Sequence, residues 1–125
     1  MRILLLGARG QLGFELRFAL TPFADVTALA RDDLDLSQLE SLRDALRSSD
    51  WDVLINATAY TDVDRAEQET AMAFQVNADV VQVLGDEAAR AKRALIHFST
   101  DFVFDGKSGE PYTEDAPTHP LNAAQ

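Results

Sequence analysis

The sequence contains no cysteine, which excludes a disulfide frame, a thiolate nucleophile and any zinc site built on sulfur. Bases are scarce: 11 Lys and Arg stand against 21 Asp and Glu, for a formal net charge of -10. That balance argues against nucleic acid and against an anionic membrane as partners. No apolar run approaches a membrane span. The run from Ile3 to Leu6 is also too short for a signal peptide, ended as it is by Gly7 and Arg9. A cytoplasmic protein is the expectation. With 125 residues, 46% of them hydrophobic, the chain is one domain or a piece of one and can bury a real core.

Glycine is also sparse, at 6 residues, yet Gly7, Gly10 and Gly13 fall together near the N-terminus. They follow Arg2-Ile3-Leu4-Leu5-Leu6, an apolar strand pattern, and precede a helical pattern from Phe14 to Leu20. A strand, a glycine-spaced turn and a helix N-terminus form the phosphate-gripping corner of dinucleotide-binding folds. In that reading Gly7 permits the tight turn, Gly10 lets backbone approach a pyrophosphate, and Gly13 lets the helix lie against the strand. Free N–H groups and the positive dipole end of the helix face the anion. On spacing alone, G-x-x-G-x-x-G leaves open the alternative that the glycines serve only packing and turns.

The rest of the chain alternates strand and helix. Asp25 to Ala30 reads as a second strand, and Trp51 to Ile55 as a third. Between them, Ser37-Gln38-Leu39-Glu40 has the form of a capping box, followed by Leu39, Leu42, Ala45 and Leu46 on one helical face. A long helix is expected from about Thr70 to Lys92, its apolar side marked by Val76, Val80, Val83, Leu84 and Ala88. Ala94 to Ser99 is a fourth strand that Phe102-Val103-Phe104 extends or follows, and no element is clear from Lys107 onward. The pattern predicts an α/β fold with a doubly wound parallel sheet, comprising one βαβαβ half and the start of another.

Several longer stretches carry a resemblance. They are Gly7-Ala8-Arg9-Gly10-Gln11-Leu12-Gly13, Leu34-Asp35-Leu36, Asn56-Ala57-Thr58-Ala59-Tyr60-Thr61-Asp62-Val63-Asp64-Arg65-Ala66-Glu67 and Val76-Asn77-Ala78. His97-Phe98-Ser99-Thr100-Asp101-Phe102-Val103-Phe104-Asp105-Gly106, Pro111-Tyr112-Thr113-Glu114-Asp115, Pro117 and Pro120-Leu121-Asn122 complete the set. Across essentially its whole length the chain resembles the N-terminal part of extended short-chain dehydrogenase/reductases, and within them the dTDP-4-dehydrorhamnose reductase family. Such enzymes reduce the C4 ketone of a dTDP-linked 6-deoxy-hexulose with NAD(P)H, giving dTDP-L-rhamnose.

The resemblance implies roles residue by residue. Gly10, Gln11 and Leu12 match the pyrophosphate loop, Asp35 and Leu36 the pair beside the adenine, and Ala57, Ala59, Tyr60 and Thr61 the turn along the nicotinamide side. Thr100 matches the catalytic hydroxyl, and with Asp101 would face the sugar of the dTDP-linked substrate; the competing reading is a capped turn. Ala30 fills the place near the end of the second strand where a ribose-binding acid would stand, and Arg31, which follows it, favours the 2′-phosphate of NADPH. Asp32 and Asp33 oppose a phosphate there, so NADH stays open. His97 is expected to be a packed, hydrogen-bonded core residue and His119 an exposed one. Asp62, Asp64, Glu67 and Glu69 read as carboxylates at a helix N-terminus rather than as a metal site.

The chain departs from the family at its C-terminal end. There the family carries a Tyr-x-x-x-Lys pair soon after the Pro-Leu-Asn stretch, whereas here Ala123-Ala124-Gln125 follows, with Ala124 in the register of the Tyr. Loss of a general acid costs about 10²–10⁴-fold in rate, so the 125-residue chain alone is expected to be inactive: an incomplete NAD(P)-binding domain over residues 1–125 without the sugar-nucleotide domain. The open alternatives are a non-catalytic dinucleotide-binding regulatory or partner module and a structural fragment without tight ligand binding. An unpaired sheet edge would invite homodimerisation or looser self-association.

Overall fold

The computed structural model describes residues 1–125. Four parallel strands form its sheet: β1 (Arg2–Leu6), β2 (Asp25–Leu29), β3 (Val53–Asn56) and β4 (Ala94–His97), in the order β2-β1-β3-β4. β1 is paired on both sides, with Ile3 opposite Val26 and Val53, and Leu5 opposite Ala28 and Ile55. β4 pairs only with β3, Ile55 opposite Ile96.

Alternation along β1 sorts its side chains onto two faces. Ile3 and Leu5 join Ile55 on one face, under Leu16 and Leu20 of α1 (Gln11–Leu20). Leu4 and Leu6 join Leu54 on the other, against Leu42 and Leu46 of α2 (Leu39–Ser48) and Val80, Val83, Leu84 and Ala88 of α5 (Val80–Ala91). The second face is the main core, with 10 fully buried residues against 3. Trp51 closes its lower end: its indole N–H donates to the Leu46 carbonyl at 3.1 Å, satisfying a backbone group in the last turn of α2, and the Arg93 guanidinium lies 4.9 Å above the ring.

Between β3 and α5 run α3 (Val63–Gln68), α4 (Thr70–Phe74) and a π turn, Gln75–Asp79. The helix expected from Thr70 to Lys92 is therefore present, but widened in its first half. It stops where Lys92 adopts the left-handed conformation (φ 55°), and the Arg93 N–H turns back to the Ala88 carbonyl at 2.9 Å.

Two other expectations are corrected. The capping box does not form: Ser37 gives its N–H to Asp35 Oδ1 at 2.9 Å, and α2 starts after Gln38 with no side-chain cap. Of its two readings, Phe102-Val103-Phe104 takes the one in which it follows β4 and does not extend it, because Asp101–Val103 is a 3-10 turn. His97 is hydrogen-bonded but exposed, since β4 is the edge strand. After that turn the chain has no regular element but does have local order, with Tyr112 stacked on Phe104 at 4.4 Å and donating to Asp105 at 2.7 Å. His119 is exposed, as expected.

One buried charge sits between the helices of the main core. Glu87, 2% exposed, accepts from Arg47 at 2.9 and 2.7 Å and from Arg90 at 3.0 Å. The Arg47 pair holds its carboxyl down at about 2, despite burial. A carboxyl lowered in the fold stabilises above its unfolded pKa of about 4.3 and loses that contribution as pH falls toward its folded value. Glu87→Gln should therefore cost about 1–3 kcal/mol at pH 7, between exposed and buried ion pairs. In urea unfolding, the difference from wild type should shrink steadily from pH 5 to pH 2, about the folded pKa; a constant difference would rule out the ion pair as its source.

Candidate functional site

The parallel order reverses at β1, with β2 on one side and β3 on the other. Ligands of open α/β sheets bind beyond the strands' carboxyl ends at such a reversal. There the chain forms a cleft of about 550 Å³, inside the roughly 300–1,000 Å³ range of ligand sites. Its walls come from the turn after β1, the segment after β2 and the turn after β3.

The turn after β1 is shaped by contact with the other two. Gly7 has φ +85°, and a Cβ there would lie 2.7 Å from the Ala57 carbonyl carbon. Gly7 and Ala8 donate their N–H groups to the Leu29 carbonyl at 3.0 and 3.2 Å. A Cβ on Gly13 would collide with the Gly7 carbonyl, so α1 can approach β1 only with glycine there. Gly10 differs: a Cβ would find nothing nearer than 3.5 Å within the protein. Gly10 is the N-cap of α1, which has no side-chain cap and no acid in its first turn. The N-terminal N–H groups of this ten-residue helix thus have no side-chain cap, an arrangement that can accept an anion.

Of the residues singled out from sequence, Gly7, Gly10, Arg31, Asp35, Leu36, Ala57, Ala59 and Tyr60 line this one cleft. Gly13 is buried beneath the turn, while Gln11 and Leu12 are exposed at the start of α1 and line neither this cleft nor the next. Thr61 lies in an adjoining, more open cleft of about 720 Å³, which shares Arg31, Ala59 and Tyr60 with the first. Thr100 and Asp101 line neither. Thr100 caps the 3-10 turn, its hydroxyl oxygen accepting from the Phe102 N–H at 3.2 Å. That bond uses a lone pair and leaves the hydroxyl proton free to donate.

The acids beside Arg31 are engaged elsewhere. Asp32 pairs with Arg9, and Asp33 accepts the Ala30 N–H at 2.7 Å. Arg31 therefore faces both clefts, with Asp35 feeling its field. Asp35 is held below the usual carboxylate range, first by its hydrogen bonds from Ser37. Tyr60 donates its hydroxyl to Glu69 at 2.6 Å, which raises the phenol above its ordinary pKa. Its proton is committed to Glu69, so Tyr60 is no ready proton donor for a substrate. Asp62 caps α3, accepting from the Arg65 N–H at 3.0 Å.

Two polar residues shape the turn after β3 without having been picked out as site residues. Asn56, 1% exposed, accepts from the Thr58 N–H at 3.1 Å and the Thr58 hydroxyl at 2.6 Å. Its Nδ2 then donates to His97 Nδ1 at 3.1 Å, which places the imidazole proton on Nε2. An Asn at a strand's end, ready to close an Asx turn, was the available signal. Asn77 holds Tyr60 from the π turn, accepting its N–H at 2.8 Å and donating to its carbonyl at 3.2 Å.

The family model described as the RmlD substrate binding domain matches residues 1–124. A dTDP-4-dehydrorhamnose reductase of Burkholderia thailandensis is 45% identical over 123 residues, covering 98% of this chain and 41% of that protein. Among solved structures, a dTDP-4-dehydrorhamnose reductase of Clostridium acetobutylicum matches with a TM-score of 0.92 at 33% identity, over 99% of this chain and 45% of that one. Another from Bacillus anthracis, in complex with NADP, matches with a TM-score of 0.90 at 30% identity, over 98% and 44%. The chain thus spans about 41% of the length of such curated relatives.

Two of the three glycines separate by substitution. Gly13→Ala should lower stability by about 2 kcal/mol or more through overpacking against the Gly7 carbonyl. Gly10→Ala should stay within about 1 kcal/mol of wild type, as an N-cap change. Thermal unfolding of both variants checks this; equal losses would mean that packing alone explains the motif.

Proposed function

Because the chain belongs to the RmlD substrate binding domain family, we propose that it is the cofactor-holding part of an NADPH-dependent reductase of a dTDP-linked 4-keto sugar. The observation that carries this is the cleft at the β1–β3 reversal, where glycine turn, adenine-side pair and nicotinamide-side turn converge. Gly10 supports the fit, being a glycine whose side-chain space the protein does not use. The uncapped α1 N-terminus would take the pyrophosphate, Asp35 and Leu36 would flank the adenine, and Ala57 to Thr61 would run along the nicotinamide half. Arg31, with Asp32 and Asp33 turned to other partners, favours the 2′-phosphate.

Bound NADPH would supply the hydride. The chain's own contribution at the ketone is Thr100, whose free hydroxyl proton can meet negative charge developing on the carbonyl oxygen. Asp101 would face the sugar beside it. Ala124 has no proton to give, and Tyr60 keeps its own on Glu69. The 125-residue chain is therefore read as binding cofactor without itself turning over sugar. Ala124 also favours a second reading, a non-catalytic dinucleotide-binding module. Ketone reduction on adding the C-terminal part of a relative would separate the two.

This reading puts the protein in the cytoplasm. It also gives the open side of β4, with Ile96 and Phe98 at 45% and 44% exposure, as the edge for self-association at high concentration.

Calorimetric titration tests the cofactor assignment. NADPH should bind in the micromolar range and NADH more weakly. Arg31→Ala should weaken NADPH about 10- to 100-fold, the worth of a charge-assisted hydrogen bond, and leave NADH unchanged. Gly10→Ala should weaken both. No binding at millimolar cofactor would leave the structural-fragment reading standing.

A further inference from the structure

Between Phe74 and Val80 the helical backbone opens into the π turn Gln75–Asp79. Such turns worsen the hydrogen bonding of a helix and occur frequently at functional sites. This one presents Asn77, whose carboxamide meets three backbone groups at once. Its Oδ1 accepts from the Tyr60 N–H at 2.8 Å. Its Nδ2 donates to the Tyr60 carbonyl at 3.2 Å and to the Ala124 carbonyl at 2.6 Å. A second tie lies beside it, where Glu67 Oε1 accepts from the Ala123 N–H at 2.7 Å.

Neither Asn77 nor Glu67 lines either cleft. Both Nδ2 protons of Asn77 are used, one on the turn after β3 and one on the 122–125 segment. If either carbonyl moves away, a half-buried N–H is left without its partner, which costs free energy. The two segments therefore share one side chain and prefer to be ordered together.

We infer that Asn77 is a positioning residue coupling the turn after β3 to the segment around Ala124, with Glu67 as the second anchor of that segment. The inference rests on reading Ala57 to Thr61 as the nicotinamide-side turn. A dinucleotide that immobilises this turn then also immobilises residues 122–125, the register in which the resemblance places the proton donor. Linkage makes the effect reciprocal: holding the 122–125 segment in place tightens the cofactor.

Amide exchange on the whole 125-residue chain, with and without saturating NADPH, tests it. In wild type, NADPH should slow exchange of both the Tyr60 and the Ala123 amides, the latter by at least about five-fold. Asn77→Asp keeps the acceptor for the Tyr60 N–H and removes both donors, so protection should persist at Tyr60 and vanish at Ala123. Glu67→Ala should abolish protection at Ala123, and Glu67→Gln, which retains the accepting oxygen, should restore it. A merely structural role would instead change thermal stability while leaving the NADPH-dependent part of the exchange intact. Ala123 exchange indifferent to bound NADPH in wild type, or still responsive in Asn77→Asp, overturns the coupling alone. Failure of wild type to bind NADPH by calorimetry overturns the cofactor reading and the coupling with it.

Discussion

The collision that Gly13 avoids governs the molecule. With no side chain between them, α1 and the turn after β1 come into backbone contact. That contact fixes where α1 begins and hence where its free N–H groups point. It also presses Gly7 against Ala57, so the turns after β1 and β3 form one wall. The cleft follows from backbone packing, before any polar side chain is considered. Polar residues then refine it: Asn56 folds the turn after β3, Asp33 pins the segment after β2, and Asn77 holds Tyr60.

Much of this was legible in the sequence, and for physical reasons. The apolar run of β1 and the glycines behind it obey simple steric rules, and Leu42, Leu46, Val80, Val83, Leu84 and Ala88 lie at helical spacing on the faces they bury. The residues that the resemblance assigns to the cofactor side, Asp35, Leu36, Ala57, Ala59 and Tyr60, do gather around one cleft. Legibility stopped where a local signal lost to a neighbour. Ser37 had the spacing of a cap, but Asp35 claimed its N–H first. Asp33 looked like a charge opposing a phosphate, yet its carboxylate is spent on the Ala30 backbone. His97 sits among apolar residues in sequence, but its strand is at the edge. The π turn carries no signature distinguishable from ordinary helix, so Asn77 stood out only within the Val76-Asn77-Ala78 stretch of the resemblance, with no role attached to it.

Charge is distributed with a similar economy. In a chain with nearly twice as many acids as bases, three arginines converge on Glu87 between α2 and α5. Another arginine, Arg2, ties the start of β1 to Asp50 and Asp52 before β3. Both clusters lie away from the carboxyl ends of the strands. Arg31 is left as the guanidinium that faces the cleft without one of the adjacent acids as its partner.

Trp51 is the sole tryptophan of the chain, and its placement has a practical side. The indole is sealed into the main core beneath Arg93 and bonded to the end of α2, on the opposite side of the sheet's length from the cleft. Its emission will report whether α2 is docked on β3, and a reduced nicotinamide in the cleft could reach it only by energy transfer through space, not by contact. Without nucleotide, fluorescence from this protein is thus a gauge of folding; with a reduced nicotinamide present, loss of emission without a shift in its wavelength would report occupancy of the cleft and not unfolding.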